Sequence, residues 1–263
     1  SGCEGKIPVI HKSINQVRVV PKNNYFVIEV IYNQEIKPKK QSNNFVGIDL
    51  GLNNLATIGG NNTKPMIVNG RPLKSINQYY NKQLSILKSR QNTCKNKNVN
   101  SLKIKQLTNK RNNKIKDYLH KSSRMLVNQL VSNNVSVIVI GHNKEWKQDI
   151  NIGNVNNQNF VQIPYNQFIN MITYKSELEG IKVIQREESY TSKCSFLDNE
   201  LICKHETYQG NRIKRGLFRT STGRLINADL NGALNILKKE IPNAFNEGYG
   251  IEVCSTPLVL TIK

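Results

Sequence analysis

Apolar and polar positions alternate in VRVV (17–20) and YFVIEVIY (25–32), and PKNN at Pro21–Asn24 separates them, which predicts two short strands joined by a turn. Beyond the polar linker KPKKQSNN, the segment NNFVGIDLGLNNLATIGGNNTKPMIVNG predicts strands over Phe45–Leu50, Asn54–Ile58 and Met66–Val68, with tight turns at Gly51 and at Gly59–Asn62. The period then changes. Ile76, Tyr79, Tyr80, Leu84 and Leu87 recur at helical spacing over Leu73–Ser89, and Ile115, Leu119, Leu126 and Leu130 do so over Leu102–Asn133. A polar loop, Gln91–Asn100, divides the two helices. Val135–Ile140 is a continuous apolar run rich in β-branched residues, the pattern of a strand covered on both faces. A polar loop from His142 to Gln162 leads to a helix opened by Pro164 and stopped at Gly180. A strand over Ile181–Gln185, an irregular stretch to Thr222 and a last helix over Asp229–Lys239, capped by Asn227, complete the pattern. Strands, helices, strand, helix, strand, insertion and helix, in that order, predict an α/β fold around a sheet of mixed strand direction.

Charge adds what periodicity does not show. The 263 residues carry 38 Lys and Arg against 18 Asp and Glu, a formal net charge of +20, which calls for a polyanionic partner, nucleic acid ahead of a membrane surface. The excess is local. From Arg71 to Arg124 fifteen Lys or Arg stand against one acid, Asp117. Lys103, Lys105, Lys110, Arg111, Lys114 and Lys121 are the first candidates for phosphate contacts, which give affinity without base specificity. Tyr118 and His120 could add stacking or backbone contacts. The run RIKRG (Arg212–Gly216) offers a second nucleic-acid contact through Arg212, Lys214 and Arg215. No stretch approaches the roughly 20 apolar residues of a membrane span and no signal-peptide core opens the chain, so an intracellular location away from membranes is expected. Five scattered cysteines, Cys3, Cys94, Cys194, Cys203 and Cys254, make no disulfide framework.

Two acids are placed unusually. Asp49 interrupts an otherwise apolar strand, where a carboxylate costs several kcal/mol unless it is paired or holds a metal. Asp229 opens the last helix in ADLNGALNI, with Ala228, Gly232 and Ala233 leaving room for close packing. Alone it would serve the helix dipole; together with Asp49 it fits two-metal phosphodiester hydrolysis, in which carboxylates anchor two magnesium ions about 4 Å apart.

At this point the sequence resembles a family. VGIDLGLNNLATI, RNNKIKDYLHKSSR, VIVIGHNKEWKQ, NNQNFVQIP, EESYTSKCSFLD, GNRIKRGLF and INADLNGALNI follow, in order, the landmarks of the TnpB/OrfB proteins of insertion sequences, relatives of the type V CRISPR effectors and of Fanzor. The resemblance implies an RNA-guided DNA endonuclease with an RNase H-like (RuvC) mixed sheet carrying a helical insertion. It further implies Mg2+ or Mn2+ as cofactor, guide RNA and target DNA as partners, a monomeric or dimeric ribonucleoprotein, and a location with DNA. Residues 1–41 would be the last strands of a β-barrel of wedge type. Residues 42–263 would be the nuclease domain, with a basic helical pair at 71–134 and a degenerate zinc-finger-like insertion at 190–222. Asp49 corresponds to the first catalytic carboxylate and Asp229 to the third.

Three departures accompany the match. The glutamate usual after the IVI strand is here Gly141, and a family branch that lacks it resembles this chain in having a glutamate near YTS, which points to Glu188. Alternation along a strand allows only one of Glu187 and Glu188 to face the site, while Glu145 lies in a polar loop. The two C-x-x-C pairs of relatives are broken, since Leu197 stands where Cys194 would find its partner and Cys203-Lys-His205 does not rebuild the second. Four ligands are needed for a closed site, so no zinc is expected; packing of Phe196, Leu197, Tyr208 and Phe218 would hold the insertion instead. The N-terminal helical domain of relatives does not precede the strands, which suits a fragment or a shortened relative, and a nuclease-inactive nucleic-acid-binding relic is the rival expectation.

Overall fold

The computed structural model describes residues 13–22, 25–93, 102–142, 162–246 and 256–262. In chain order the strands are β1 (Ile14–Pro21), β2 (Phe26–Tyr32), β3 (Phe45–Leu50), β4 (Asn54–Gly60), β5 (Met66–Asn69), β6 (Val137–Gly141) and β7 (Lys182–Arg186). Strands β8 (Asn211–Lys214), β9 (Leu217–Arg219), β10 (Leu225–Asn227) and β11 (Leu258–Leu260) follow. The helices are α1 (Arg71–Thr93), α2 (Leu102–Ser132), α3 (Tyr165–Leu178) and α4 (Ala228–Glu240), with a 3-10 turn at Pro242–Phe245.

The main sheet has six strands in the order β11-β5-β4-β3-β6-β7. Antiparallel pairing joins β3 to β4 and β4 to β5, while β6 and β7 run parallel to β3, as a helical crossover requires. The expected mixed sheet is therefore present, with β3 at its centre. Val46, Ile48 and Leu50 of β3 and Ile138 and Ile140 of β6 join one buried cluster with Leu119, Leu126, Leu130, Phe168 and Ile172 of α2 and α3. The other residues of β3 face α4. A Cβ on Gly47 would stand 2.0 Å from the Ala233 carbonyl oxygen, so only glycine lets α4 lie this close to the strand. That closeness positions the site.

Between the helices, buried Lys175 of α3 donates to the His120 carbonyl of α2 (2.9 Å) and to Ser123 Oγ (2.6 Å). Burial lowers its pKa to about 8. The linker that reads as merely polar is laid along the end of α3: Lys37 N donates to the Leu178 carbonyl (3.1 Å) and Lys40 N to the Gly180 carbonyl (3.0 Å). Gly180, at φ +75°, turns the chain there, and a Cβ on it would meet the Pro38 carbonyl oxygen at 2.1 Å.

Three expectations change. The stretch expected to be irregular to Thr222 contains an antiparallel sheet in the order β10-β9-β8, which runs on to Asn227. Its apolar side, with Phe196, Phe218 and Ile226, packs on Leu230 and Leu234 of α4. Leu197 joins this cluster at its edge, whereas Tyr208 leaves it, its ring set edge-on to His205 at 5.4 Å. The third change is β11, an unforeseen parallel edge strand beside β5. Of the 1–41 segment, β1 and β2 form a separate antiparallel ribbon in which Val19 stands opposite Ile28. Val17, Val19, Phe26 and Ile28 are exposed along it. No helix among the described residues is long and apolar enough to cross a membrane.

Candidate active site

The two singled-out aspartates meet across the β3–α4 contact. Asp49 projects from the α4 side of β3, and its Oδ2 lies 3.1 Å from where a Cβ on Gly232 would stand. Glycine at 232 thus leaves the carboxylate its space. Asp229 sits in the first turn of α4, which is capped as expected: Asn227 Oδ1 accepts from Asp229 N and Leu230 N, both at 3.0 Å. Its two oxygens face different partners. Asn54 Nδ2 of β4 donates to Oδ2 (2.8 Å), and Arg212 Nη2 of β8 donates to Oδ1 (3.3 Å).

The third carboxylate enters from β7. Gly141, at the end of β6, pairs with Arg186, and a Cβ placed on it would stand 2.7 Å from Glu188 Oε2 and 2.5 Å from Ile236 Cδ1. Glu188 therefore fills the space that a side chain at 141 would occupy. Its neighbour turns outward: Glu187 Oε2 pairs with Lys239 Nζ at 2.8 Å and its Oε1 accepts from Ser189 N at 3.0 Å. Of the two, Glu188 is the one that faces Asp49.

Protonation equilibria register this crowding. Burial, then the charge of Glu188, then that of Asp229 push Asp49 well above the usual carboxylate range, with Arg212 opposing. Burial first and Glu187 second raise Glu188 to about 7. Glu187 shifts the other way, held low chiefly by its hydrogen bond to Lys239. Nearby, the buried Tyr165 hydroxyl donates to the Gly51 carbonyl (2.9 Å), and burial followed by the charge of Asp49 raises its pKa. Among the described residues no three His, Cys, Asp or Glu side chains form a ready metal cage. Asp49, which feels the charge of both Glu188 and Asp229, nevertheless sits in a carboxylate cluster that suits hard divalent cations, which would supply the charge the cluster lacks. Glu145 lies outside the described residues.

The cationic candidates divide. Lys103, Lys110 and Lys114 are exposed on α2, Lys105 is half-buried, and exposed Lys121 pairs with Asp117 at 3.1 Å. Arg111 is engaged within the protein as a clamp. Its Nε donates to Asn77 Oδ1 (2.9 Å), its Nη1 to Asn112 Oδ1 (2.9 Å) and its Nη2 to the Gln162 carbonyl (2.8 Å), which occupies the guanidinium within the protein. Tyr118 is likewise taken up, donating to the Asn69 carbonyl at the end of β5. Arg212 reaches Asp229, and Arg215 meets the Asn53 carboxamide oxygen at 2.9 Å from Nη2. Of the three RIKRG cations, Arg212 thus reaches the carboxylate corner, and Lys214 is exposed. Reasoning from sequence missed Asn54 and the Arg212–Asp229 pair; the repeated NN of GIDLGLNNL was the signal for the first, and nothing local announced the second.

Cys194 Sγ is buried and directed at the carbonyls of Leu201 (3.4 Å) and Cys203 (3.6 Å), and burial raises its pKa, which favours the thiol. Glu200, 3% exposed, accepts from Ser195 N (2.7 Å) and Gln209 N (3.1 Å).

Residues 26–147 match the family model OrfB_IS605, described as "Probable transposase", and residues 165–236 match the Cas12f1-like TNB domain. Over 222 residues, 81% of this chain, the sequence is 28% identical to the TnpB-like protein ORF457 of Acidianus two-tailed virus, of which it covers 45%. By these matches the chain is similar to the TnpB/OrfB proteins over most of its length. It is also similar to the CRISPR-associated endodeoxyribonuclease Cas12f2 of a Micrarchaeota archaeon, at 26% identity over 83% of this chain and 41% of that protein. The chain thus spans less than half the length of these curated relatives. In fold it resembles the Cas12f1 of a Cas12f1-sgRNA-target DNA complex, with a TM-score of 0.58 at 18% identity over 85% of this chain and 56% of that one. A CRISPR-Cas12f ternary complex gives 0.56 at 17% identity over 84% of this chain and 44% of that one. The RuvC-like fold expected of a TnpB/OrfB protein is the fold of this chain.

Proposed function

We propose that this TnpB/OrfB-like chain carries the nuclease centre of a transposon-associated, RNA-guided DNA endonuclease, with magnesium ions held by Asp49, Glu188 and Asp229. The observation that carries the reading is the exchange at Gly141, whose empty side is filled by the Glu188 carboxylate in electrostatic contact with Asp49. Bound magnesium would supply positive charge at the scissile phosphate and an activated water for hydrolysis. The protein's own residues do the positioning. β3 and α4 fix Asp49 and Asp229 on rigid elements; Asn54 holds one oxygen of Asp229, and Arg212 balances the other. The exposed lysines of α2 would carry phosphates, and sequence choice would be left to a guide RNA. The β1–β2 ribbon is read as part of a wedge-like barrel.

Asp49→Ala should abolish metal-dependent nicking of single-stranded DNA while leaving binding nearly unchanged. Glu188→Gln should do the same, whereas Glu187→Gln should cut as the parent does. Undiminished nicking by Asp49→Ala sinks the assignment. The rival, a binding protein without cutting activity, draws on the lack of a ready three-ligand cage among the described residues. It predicts binding with no nicking at any magnesium or manganese concentration.

A further inference from the structure

We propose that the pocket between α1 and α2 binds one unpaired nucleobase of a single-stranded nucleic acid, stacked on Tyr79, with the adjoining phosphate held by Lys110 and Lys114. This deepens the nucleic-acid reading above and rests on it. The pocket encloses about 280 Å3 and is lined by Tyr79, Tyr80, Leu107, Lys110, Arg111 and Lys114 among others. That size lies near the lower edge for small-molecule sites and far below what a duplex needs. Its two tyrosines differ sharply. Tyr80 is fixed, its hydroxyl 3.2 Å from Thr108 Oγ1 and its ring beneath the Arg111 guanidinium at 5.6 Å. Tyr79 is 62% exposed, so its ring is open to a partner.

The floor of the pocket is rigid. Arg111 ties α2 to Asn77 of α1 and to the Gln162 carbonyl. Asn81 and Gln162 exchange paired amide bonds at 3.2 and 2.9 Å. A rigid floor means little ordering is needed when a planar ring stacks. Above it, Lys110 and Lys114 are exposed one turn apart on the same face of α2, and no carboxylate among the described residues pairs with either. α1 itself carries five cations and no acid over Arg71–Thr93. An aromatic face beside two cations is the arrangement that grips single strands, because every base offers a π-face and every nucleotide a phosphate.

The location gives the pocket a use. α1 starts beside the turn that follows Asp49, for Gly70 N donates to the Asn53 carbonyl at 2.7 Å. Tyr79 lies about 12 Å further along the helix axis. A strand led to the carboxylates would therefore pass a few nucleotides away from Tyr79, which would hold it in register.

The test uses the full chain with EDTA present, so that cleavage does not intrude, and oligonucleotides carrying 5-iodouracil, in one arm as DNA and in the other as RNA. Illumination should crosslink the base to Tyr79, located by mass spectrometry, and the stronger arm identifies the strand. Tyr79→Ala should weaken single-strand binding at least about fivefold, while Tyr79→Phe, which keeps the ring, should bind like the parent. Opposing the idea would be unchanged binding by Tyr79→Ala, or a loss in Tyr79→Phe as large as in the alanine variant. If the parent binds neither strand, the nucleic-acid reading falls and takes the pocket with it. If it binds while Tyr79 proves indifferent, only the pocket falls.

Discussion

At the scale of single residues, the carboxylate corner is a charge problem solved by position. Gly141 removes a side chain, Glu188 enters the gap, and Glu187 is drawn outward by Lys239. The resulting pKa shifts fix a sign for stability. Glu188 rises from 4.5 to about 7 and Asp49 rises with it. A group whose pKa is raised by folding stabilises fully below its unfolded value and loses that contribution as pH climbs through the folded one. The metal-free protein should therefore lose stability between pH 4.5 and about 7. The loss is on the order of a few kcal/mol, several degrees in Tm. Glu188→Gln should flatten that slope, and added magnesium should raise Tm more near pH 8 than near pH 5, because only ionised carboxylates take the cation. Calorimetry across this range decides it; an equal slope in Glu188→Gln would remove Glu188 from the cluster.

At the scale of elements, α4 holds the site together from two sides. One end offers Asp229 to the carboxylates. Further along, Asn231, Asn235 and Lys238 form a face that grips the insertion. Asn231 Nδ2 donates to the Cys194 carbonyl (2.8 Å), and Asn235 Nδ2 donates to the carbonyls of Thr191 (2.9 Å) and Cys194 (2.7 Å). Lys238 Nζ meets Asn199 Oδ1 at 2.6 Å. Together with Glu200, which ties backbone amides inside the insertion, these hydrogen bonds hold the insertion to α4. Asn231→Ala, which removes the side chain that accepts from the buried Phe196 N, should cost about 1–3 kcal/mol. Hydrogen exchange should quicken over residues 190–227 and stay slow in β3 and β6. Dialysis against a zinc chelator should leave the Tm and exchange of the insertion unchanged; a drop would mean that metal holds it after all.

At the scale of the whole molecule, charge is uneven: α1 and α2 carry thirteen cations against the single acid Asp117, while Asp49, Glu188 and Asp229 gather where β3, β7 and α4 meet. Replacing Lys103, Lys110 and Lys114 by Gln should shallow the dependence of single-strand affinity on salt by about 0.7 per lysine. Arg111→Gln should instead lower Tm with a smaller change in slope, since its guanidinium is spent on Asn77 and Gln162. Equal slopes in the triple variant and the parent would place the nucleic acid elsewhere. The sequence alone determined the features that local patterns encode. These are the strands from Phe45 to Asn69, the two basic helices, the Asn227 cap and the odd placement of Asp49 in an apolar strand, each legible from spacing within a few residues. Strands of three or four residues, such as β9 and β11, carry too few alternations to be read, and their partners lie far off in the chain. Only the tertiary structure decided which glutamate faces Asp49, that Arg111 is a clamp, and that Asn54 and Arg212 meet Asp229. Those facts depend on which distant side chains share a few ångströms of space, and no periodicity records that.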